Sequence, residues 1–228
     1  DSKNYREVEQ SIKTDFKNDM SYGDYLKLDQ ILSAQHPLSS EHDEMLFIVI
    51  HQSSELWLKL AGHELSAAID MIKRQEFGPA FKVISRVKQI FLQLTQAWNI
   101  LSTLTPVDYL KFRDDLGHSS GFQSYGYRKL EFLLGNKNQD LIKVHESNPT
   151  VHQELSDISA APSIYDEIIK VMAEKGFAID TSALERDFNQ PYERNESVLN
   201  AWLKVYQNAD EHFELYELAE KLMDIEDV

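Results

Sequence analysis

His51 and Arg113 are the side chains of this sequence with the most chemistry to offer. His51 lies in SEHDEMLFIVIHQSSELWLKLAGHEL, from Ser40 to Leu65. Leu, Met, Glu and Lys dominate that stretch and favour helix, and no turn residue interrupts Gln52 to Leu60. On a helix Phe47 and His51 share a face, together with Ser54, Glu55 and Leu58. Leu46, Val49, Ile50, Trp57, Leu60, Ala61 and Leu65 cover much of the remainder, so the helix is buried on most sides. A buried imidazole can hydrogen-bond a ligand, but a core histidine bonded to a neighbour satisfies the same spacing. Arg113 lies in TPVDYLKFRDDLG, followed by Asp114 and Asp115. A guanidinium can grip a carboxylate in a fork, which a lysine does poorly. A surface ion pair fits the pattern too and contributes little. From spacing alone the plainer reading is preferred for both residues.

Other chemistries find no footing. A di-iron bundle needs Glu-x-x-His pairs on facing helices, and none of the eight histidines has Glu three residues before it. Asp115 and His118 have that spacing, but Gly117 breaks the helix between them. His63-Glu64 does not continue into a zinc-protease motif. No Gly-rich phosphate loop and no nucleophile elbow is present. His42, His63, His145, His152 and His212 sit among charged residues and read as surface or capping groups. Cysteine is absent, which excludes disulfides and thiolate metal sites and makes a cytoplasmic location the expectation. A net charge of −15 argues against nucleic acid and against an anionic membrane surface as partners. No apolar run reaches the length of a membrane span, and the chain starts at Asp1 rather than Met.

The elements that must position these residues are helices. Residues 1–20 form a charged arm with little apolar periodicity. Ser21 and Asp24 make a capping box that opens a short helix through Leu32, with Tyr22, Tyr25 and Leu26 as its aromatic edge. Ser40 and Asp43 make a second capping box, opening the His51 helix, which runs to Lys73. Gly78-Pro79 breaks the chain, and a stripe from Ala80 to Leu104 predicts about seven helical turns whose role is packing. Thr105, Pro106 and Asp108 start a short helix ended by Gly117. A polar loop leads to a helix from Phe122 to Leu134. Residues 136–162 read as short pieces. Ser163 and Asp166 cap a helix that ends at Gly176, and Phe177 to Glu193 reads as a loop, a candidate lid or subunit contact. A last helix runs from Ser197 to the end. The expected architecture is all-α: one domain over 1–228, a helical bundle of long antiparallel helices with short connecting helices.

The words themselves resemble a known family. HDEMLFIVIHQSSELWLKL is similar to the signature helix of the tryptophan 2,3-dioxygenases. LTPVDYLKFRDDLGHSSGFQSYGYRKLEFLLGNKN, from Leu104 to Asn138, and YGDYLKLDQILSAQHPLS, from Tyr22 to Ser39, resemble the same family in the same order. The resemblance implies a haem-dependent dioxygenase with haem b (Fe2+) as cofactor and O2 as co-substrate. It would open the C2–C3 bond of the L-tryptophan indole to give N-formylkynurenine, the first step of tryptophan catabolism by the kynurenine pathway. It also implies a homotetramer. Arg113 would pair with the substrate carboxylate, and Tyr109 would help define the pocket. Phe47, Ile48, Val49, Ile50 and His51 would line the indole and the distal side of the haem. His51, the catalytic candidate, would accept the indole N–H. Leu116 and Ser120 would lie close to substrate and haem, so Phe47, His51 and Ser120 are the cofactor-binding candidates. Tyr22 and Tyr25 would reach the pocket from a neighbouring subunit.

The chemistry suits the ligand. Tryptophan needs an aromatic wall, one buried acceptor for its N–H and a forked cation for its carboxylate, and Phe47, neutral His51 and Arg113 supply the three. One departure stands against the pattern. The family carries its axial histidine, and a later Gly- and Ser-rich loop, in a C-terminal segment beyond the position of Val228, so no metal ligand is expected among the eight histidines here. The competing readings are a related haem enzyme acting on another indole and a non-enzymatic helical interaction protein whose aromatic stripes are core.

Overall fold

The computed structural model describes Glu9, Ser11, Ile12 and residues 14–228. Residues 1–8, 10 and 13, which make up half of the expected arm, lie outside the described residues. Every regular element among the described residues is helical. In chain order they are α1 (Tyr22–Leu26), α2 (Leu28–Leu32), α3 (His42–Lys73), α4 (Phe77–Leu101), α5 (Pro106–Leu110), α6 (Tyr125–Leu133), α7 (Pro149–Ala160), α8 (Ile164–Glu174), α9 (Thr181–Leu184), α10 (Glu196–Gln207) and α11 (Phe213–Glu226).

The frame is the α3–α4 hairpin. At 32 residues, α3 is about 48 Å long at 1.5 Å per residue. Leu58, Ala61, Leu65, Ala68, Ile69 and Ile72 recur at three- and four-residue steps and are buried against Ala80, Val83, Ile84, Val87 and Ile90 of α4. Ala61, Ala68 and Ala80 are fully buried, which lets the two backbones approach closely. Across the hairpin Arg86 Nη1 donates to both oxygens of the buried Glu64, at 2.7 and 2.8 Å. Ile168 and Met172 of α8, Leu218 and Leu222 of α11, and Leu130 of α6 close the same core.

Several boundaries differ from the expectation. Ser40 does not cap α3. Its N-cap is Glu41, with no side-chain cap, and the acid that matters is Glu44, which accepts from the backbone N–H of Leu38 and Ser39, both at 2.7 Å. Those two bonds tie the incoming chain to the first turn, and the Leu38 N–H, the Ser39 hydroxyl and the Ser39 N–H together hold the Glu44 carboxyl below its usual range. The α3–α4 break falls at Arg74–Glu76 rather than at Gly78-Pro79. Gln75 takes a left-handed φ of 57°, and Pro79 sits in the first turn of α4, where its missing N–H costs nothing. The expected helix over 21–32 is two helices, because Lys27 is left-handed between them. Residues 136–162 hold a twelve-residue helix, α7, with Asn148 as N-cap and Pro149 in its first turn. The last helix is a pair, α10 and α11, parted at residues 208–212. The Ser163–Asp166 and Ser21–Asp24 capping boxes form as expected.

The 177–193 stretch is anchored. Arg186 makes two bonds to the buried Asp166, at 2.8 and 3.0 Å, and Nη1 donates to the Gln190 carbonyl at 2.7 Å. His145 is buried rather than surface-lying, 8% exposed. Burial, helped by Arg128 and His152, lowers its pKa.

Candidate active site

The site is built outward from one turn of α3. Phe47 and His51 lie tilted against each other at 37°, with ring centroids 4.1 Å apart. His51 Nδ1 lies 2.7 Å from the Phe47 carbonyl. That oxygen can only accept, so Nδ1 donates, and in the neutral ring Nε2 is left as an acceptor. The half-buried imidazole is thus fixed in tautomer by its own helix.

The next turn of chain supplies the aromatic wall. Thr105 caps α5 by accepting from Asp108 N at 3.2 Å, and Pro106 occupies its first position. This short helix lays Tyr109 beside Phe47, centroids 5.8 Å apart. Phe112, fully buried, meets both rings edge-on, at 5.7 and 5.5 Å. Arg113 follows at once and opens a 3-10 turn, Arg113–Leu116. Among the described residues its only hydrogen bond is from Nη1 to the Gly117 carbonyl, at 2.8 Å. Gly117 has φ 55° and ψ −127°, a conformation that suits glycine. Lys111 is taken by Asp108 at 2.8 Å, whereas Arg113 makes no ion pair with Asp114 or Asp115 among the described residues. Its remaining N–H donors are available to a ligand. The surface ion pair that its sequence neighbours suggested does not form.

The loop from Ser119 to Ser124 makes the third side. Ser120 and Gln123 cap each other reciprocally, with Ser120 N donating to Gln123 Oε1 at 3.2 Å. Ser124 then caps α6 by accepting from Tyr127 N at 3.0 Å. The helix expected from Phe122 therefore starts three residues later, at Tyr125. Between these parts lies a cleft of about 840 Å³, within the usual range for small-molecule sites.

Of the residues singled out in the sequence, Phe47, His51, Tyr109, Arg113, Leu116 and Ser120 line this one cleft. Ile48, Val49 and Ile50 do not. Ile50 is buried, and its carbonyl accepts from Ser53 and Ser54. Tyr22 and Tyr25 do not line it within this chain and are 76% and 73% exposed. Sequence reasoning passed over Trp98 and Leu101, the last turn of a stripe read as packing, and also His118 and Tyr125. Glu55, which the helical spacing put on the face of His51, also lines the cleft.

A sequence model of the tryptophan 2,3-dioxygenases matches residues 6–228. A tryptophan 2,3-dioxygenase of Shewanella woodyi is 74% identical over 224 residues, 98% of this chain and 78% of the relative. Enzymes of the same name from Paraburkholderia phytofirmans and Bacillus thuringiensis are 54% and 52% identical, over 93% and 96% of this chain and 70% and 79% of their own lengths. A match of this extent and identity decides the question that the cleft alone leaves open: the chain belongs to the tryptophan 2,3-dioxygenase family.

Proposed function

We propose that the cleft binds L-tryptophan with its carboxylate on Arg113, its indole against Phe47 and Tyr109, and its indole N–H donated to His51 Nε2. The activity is that of the family, oxidation of tryptophan by a haem dioxygenase. The observation that carries the residue roles is convergence: an aromatic wall, a tautomer-fixed acceptor and a guanidinium with free donors, from two segments of the chain, face one cavity.

The residues present fit a haem. Trp98 stands on the cleft wall 61% exposed, an apolar plane without cover. Beside it are Leu101 and Leu116, and a Cβ added at Gly121 would meet nothing within 4 Å, so a flat group can approach that backbone. Phe47, His51 and Ser120 would hold haem b against this wall. Bound there, it supplies the activation of dioxygen at the indole C2–C3 bond. The protein's own part is orientation. The Arg113 fork fixes one end of the substrate, and His51 fixes the indole in plane. An indole N–H is a very weak acid, so His51 holds the proton's position rather than removing it. The aromatic cluster of Phe47, Tyr109 and Phe112 keeps water from the indole face. The product is N-formylkynurenine.

The same reading includes a homotetramer in the cytoplasm, with Tyr22 and Tyr25 covering a neighbour's cleft. No helix among the described residues is long and apolar enough to cross a membrane. The test supplies the haem-loaded protein with L-tryptophan and isotopically labelled dioxygen. Both labelled atoms should appear in each molecule of N-formylkynurenine. Product carrying one label or none overturns the reading.

A further inference from the structure

A second cavity of about 740 Å³ lies at the far end of α6, among α8, α10 and the segment before α10. It shares no lining residue with the cleft at His51. Its floor is apolar and fixed: Ile169 and Val198 are buried at 4% and 5% exposure. Three aromatic side chains surround the floor, Tyr165, Tyr192 and Trp202. Tyr192 is 40% exposed and Leu199, beside it on the rim, 37%.

The walls are preformed by contacts outside the cavity. The Arg186 guanidinium, held by Asp166, sits 5.6 Å from the Tyr192 ring centroid. The Tyr165 hydroxyl donates to Glu226, so its polar end is already satisfied. Asn195 spends its carbonyl on the N–H groups of Ser197 and Val198.

Among the described residues Arg194 is the one charged residue that lines the cavity, and no Asp or Glu lines it. Its partner is Glu196, 3.2 Å away, with side chains 73% and 72% exposed. So exposed a pair is held weakly and gives way to a better-placed anion. An α-ammonium carried past the rim would find no carboxylate among the described lining residues and would lose hydration without return. Three rings favour a flat aromatic body, which gains from offset and edge-on stacking beyond its area.

We propose that this cavity is a second small-molecule site, for an aromatic monocarboxylate whose ring lies among Tyr165, Tyr192 and Trp202 and whose carboxylate meets Arg194. It discriminates against the corresponding amino acid. The site thus selects a class of molecule chemically distinct from the zwitterion that the His51 cleft is built to hold.

The test is calorimetric titration of the full chain, loaded with haem, using three probes of one skeleton: 3-phenylpropionate, 3-phenylpropanamide and L-phenylalanine. The acid should bind roughly fivefold more tightly than the amide, the worth of an exposed charge pair. L-Phenylalanine should bind at least about tenfold more weakly than the acid, the cost of an unpartnered ammonium. Arg194→Gln should erase the gap between acid and amide. Leu199→Trp fills the rim at an exposed position and should abolish binding of both. Equal affinity for acid and amide, acid binding that survives Leu199→Trp, or no binding of any probe at millimolar concentration each overturns the proposal.

Discussion

His51 and Arg113 owe their availability to what their near neighbours already occupy. The Phe47 carbonyl takes Nδ1 of the imidazole, so Nε2 points its lone pair elsewhere. Asp108 takes Lys111, so Arg113 is left with one bond, to the Gly117 carbonyl. Arg113→Lys should therefore leave the fold intact and lower kcat/KM for L-tryptophan by an amount equivalent to about 2–5 kcal/mol, the cost of truncating one partner of a charge-assisted pair. Steady-state kinetics within a factor of two of the parent would remove Arg113 from carboxylate binding. His51→Ala should keep haem and lose less, because a neutral N–H to imidazole bond contributes about 0.5–1.5 kcal/mol net. On 1-methyl-tryptophan, which has no indole N–H, the same variant should lose little further activity. Equal losses on the two substrates would contradict the hydrogen-bond role. Both residues were singled out by the sequence, but their spacing did not separate a ligand contact from a core histidine or a surface pair. That decision rests on partners such as Gly117 and Asp108, whose bonds depend on the fold.

The long helices of this chain were legible because burial repeats every three or four residues, as Leu58, Ala61, Leu65, Ala68 and Ile72 do. Their ends were harder to read. Ser40 looked like a cap, yet Glu44, four residues on, reaches back to the chain before the helix. Gln75 adopts a left-handed conformation that a non-glycine residue rarely announces. The helix α7 escaped notice because its C-terminus is closed by a distant side chain. The ammonium of Lys137, 2% exposed, donates to the carbonyls of Ile158, Ser159 and Ala161 at 3.1, 2.9 and 2.7 Å. Burial, with Arg186 nearby and Asp166 opposing, pulls its pKa from 10.5 down to about 8. Between those two values the folded chain binds fewer protons than the unfolded chain, so this group makes stability rise with pH there. The gain is complete above pH 10.5 and is lost as pH falls through 8. Lys137→Met removes that slope. The stability of the parent relative to Lys137→Met, from urea unfolding, should increase by at most about 3 kcal/mol from pH 8 to 10.5. A constant difference across that range would show that Lys137 stays charged in its carbonyl cage.

At the scale of the whole molecule, the all-α class was legible from composition and period, and six of the residues singled out in the sequence line one cleft. Trp98 was missed because the stripe that carries it is mostly buried, and period alone does not say where along a helix the cover stops. Tyr22 and Tyr25 mark the opposite case. Their helix forms as the Ser21 capping box requires, yet both rings stay exposed, along with Met20 at 72%, Leu32 at 70% and Leu38 at 68%. An apolar edge of that extent on a chain of net charge −15 is the surface that the proposed tetramer would cover. The parent protein should sediment as a tetramer at micromolar concentration. The double variant Tyr22→Ser, Tyr25→Ser should shift toward smaller species while its circular dichroism stays helical, because neither ring is buried within its own chain. If the two rings also close a neighbour's cleft, KM for L-tryptophan should rise in that variant in step with dissociation. At protein concentrations high enough to restore the tetramer, KM should fall back only in part, since the serines cannot replace the missing wall. A parent that sediments as a monomer refutes the assembly, and a dissociated variant with unchanged KM confines these tyrosines to the interface.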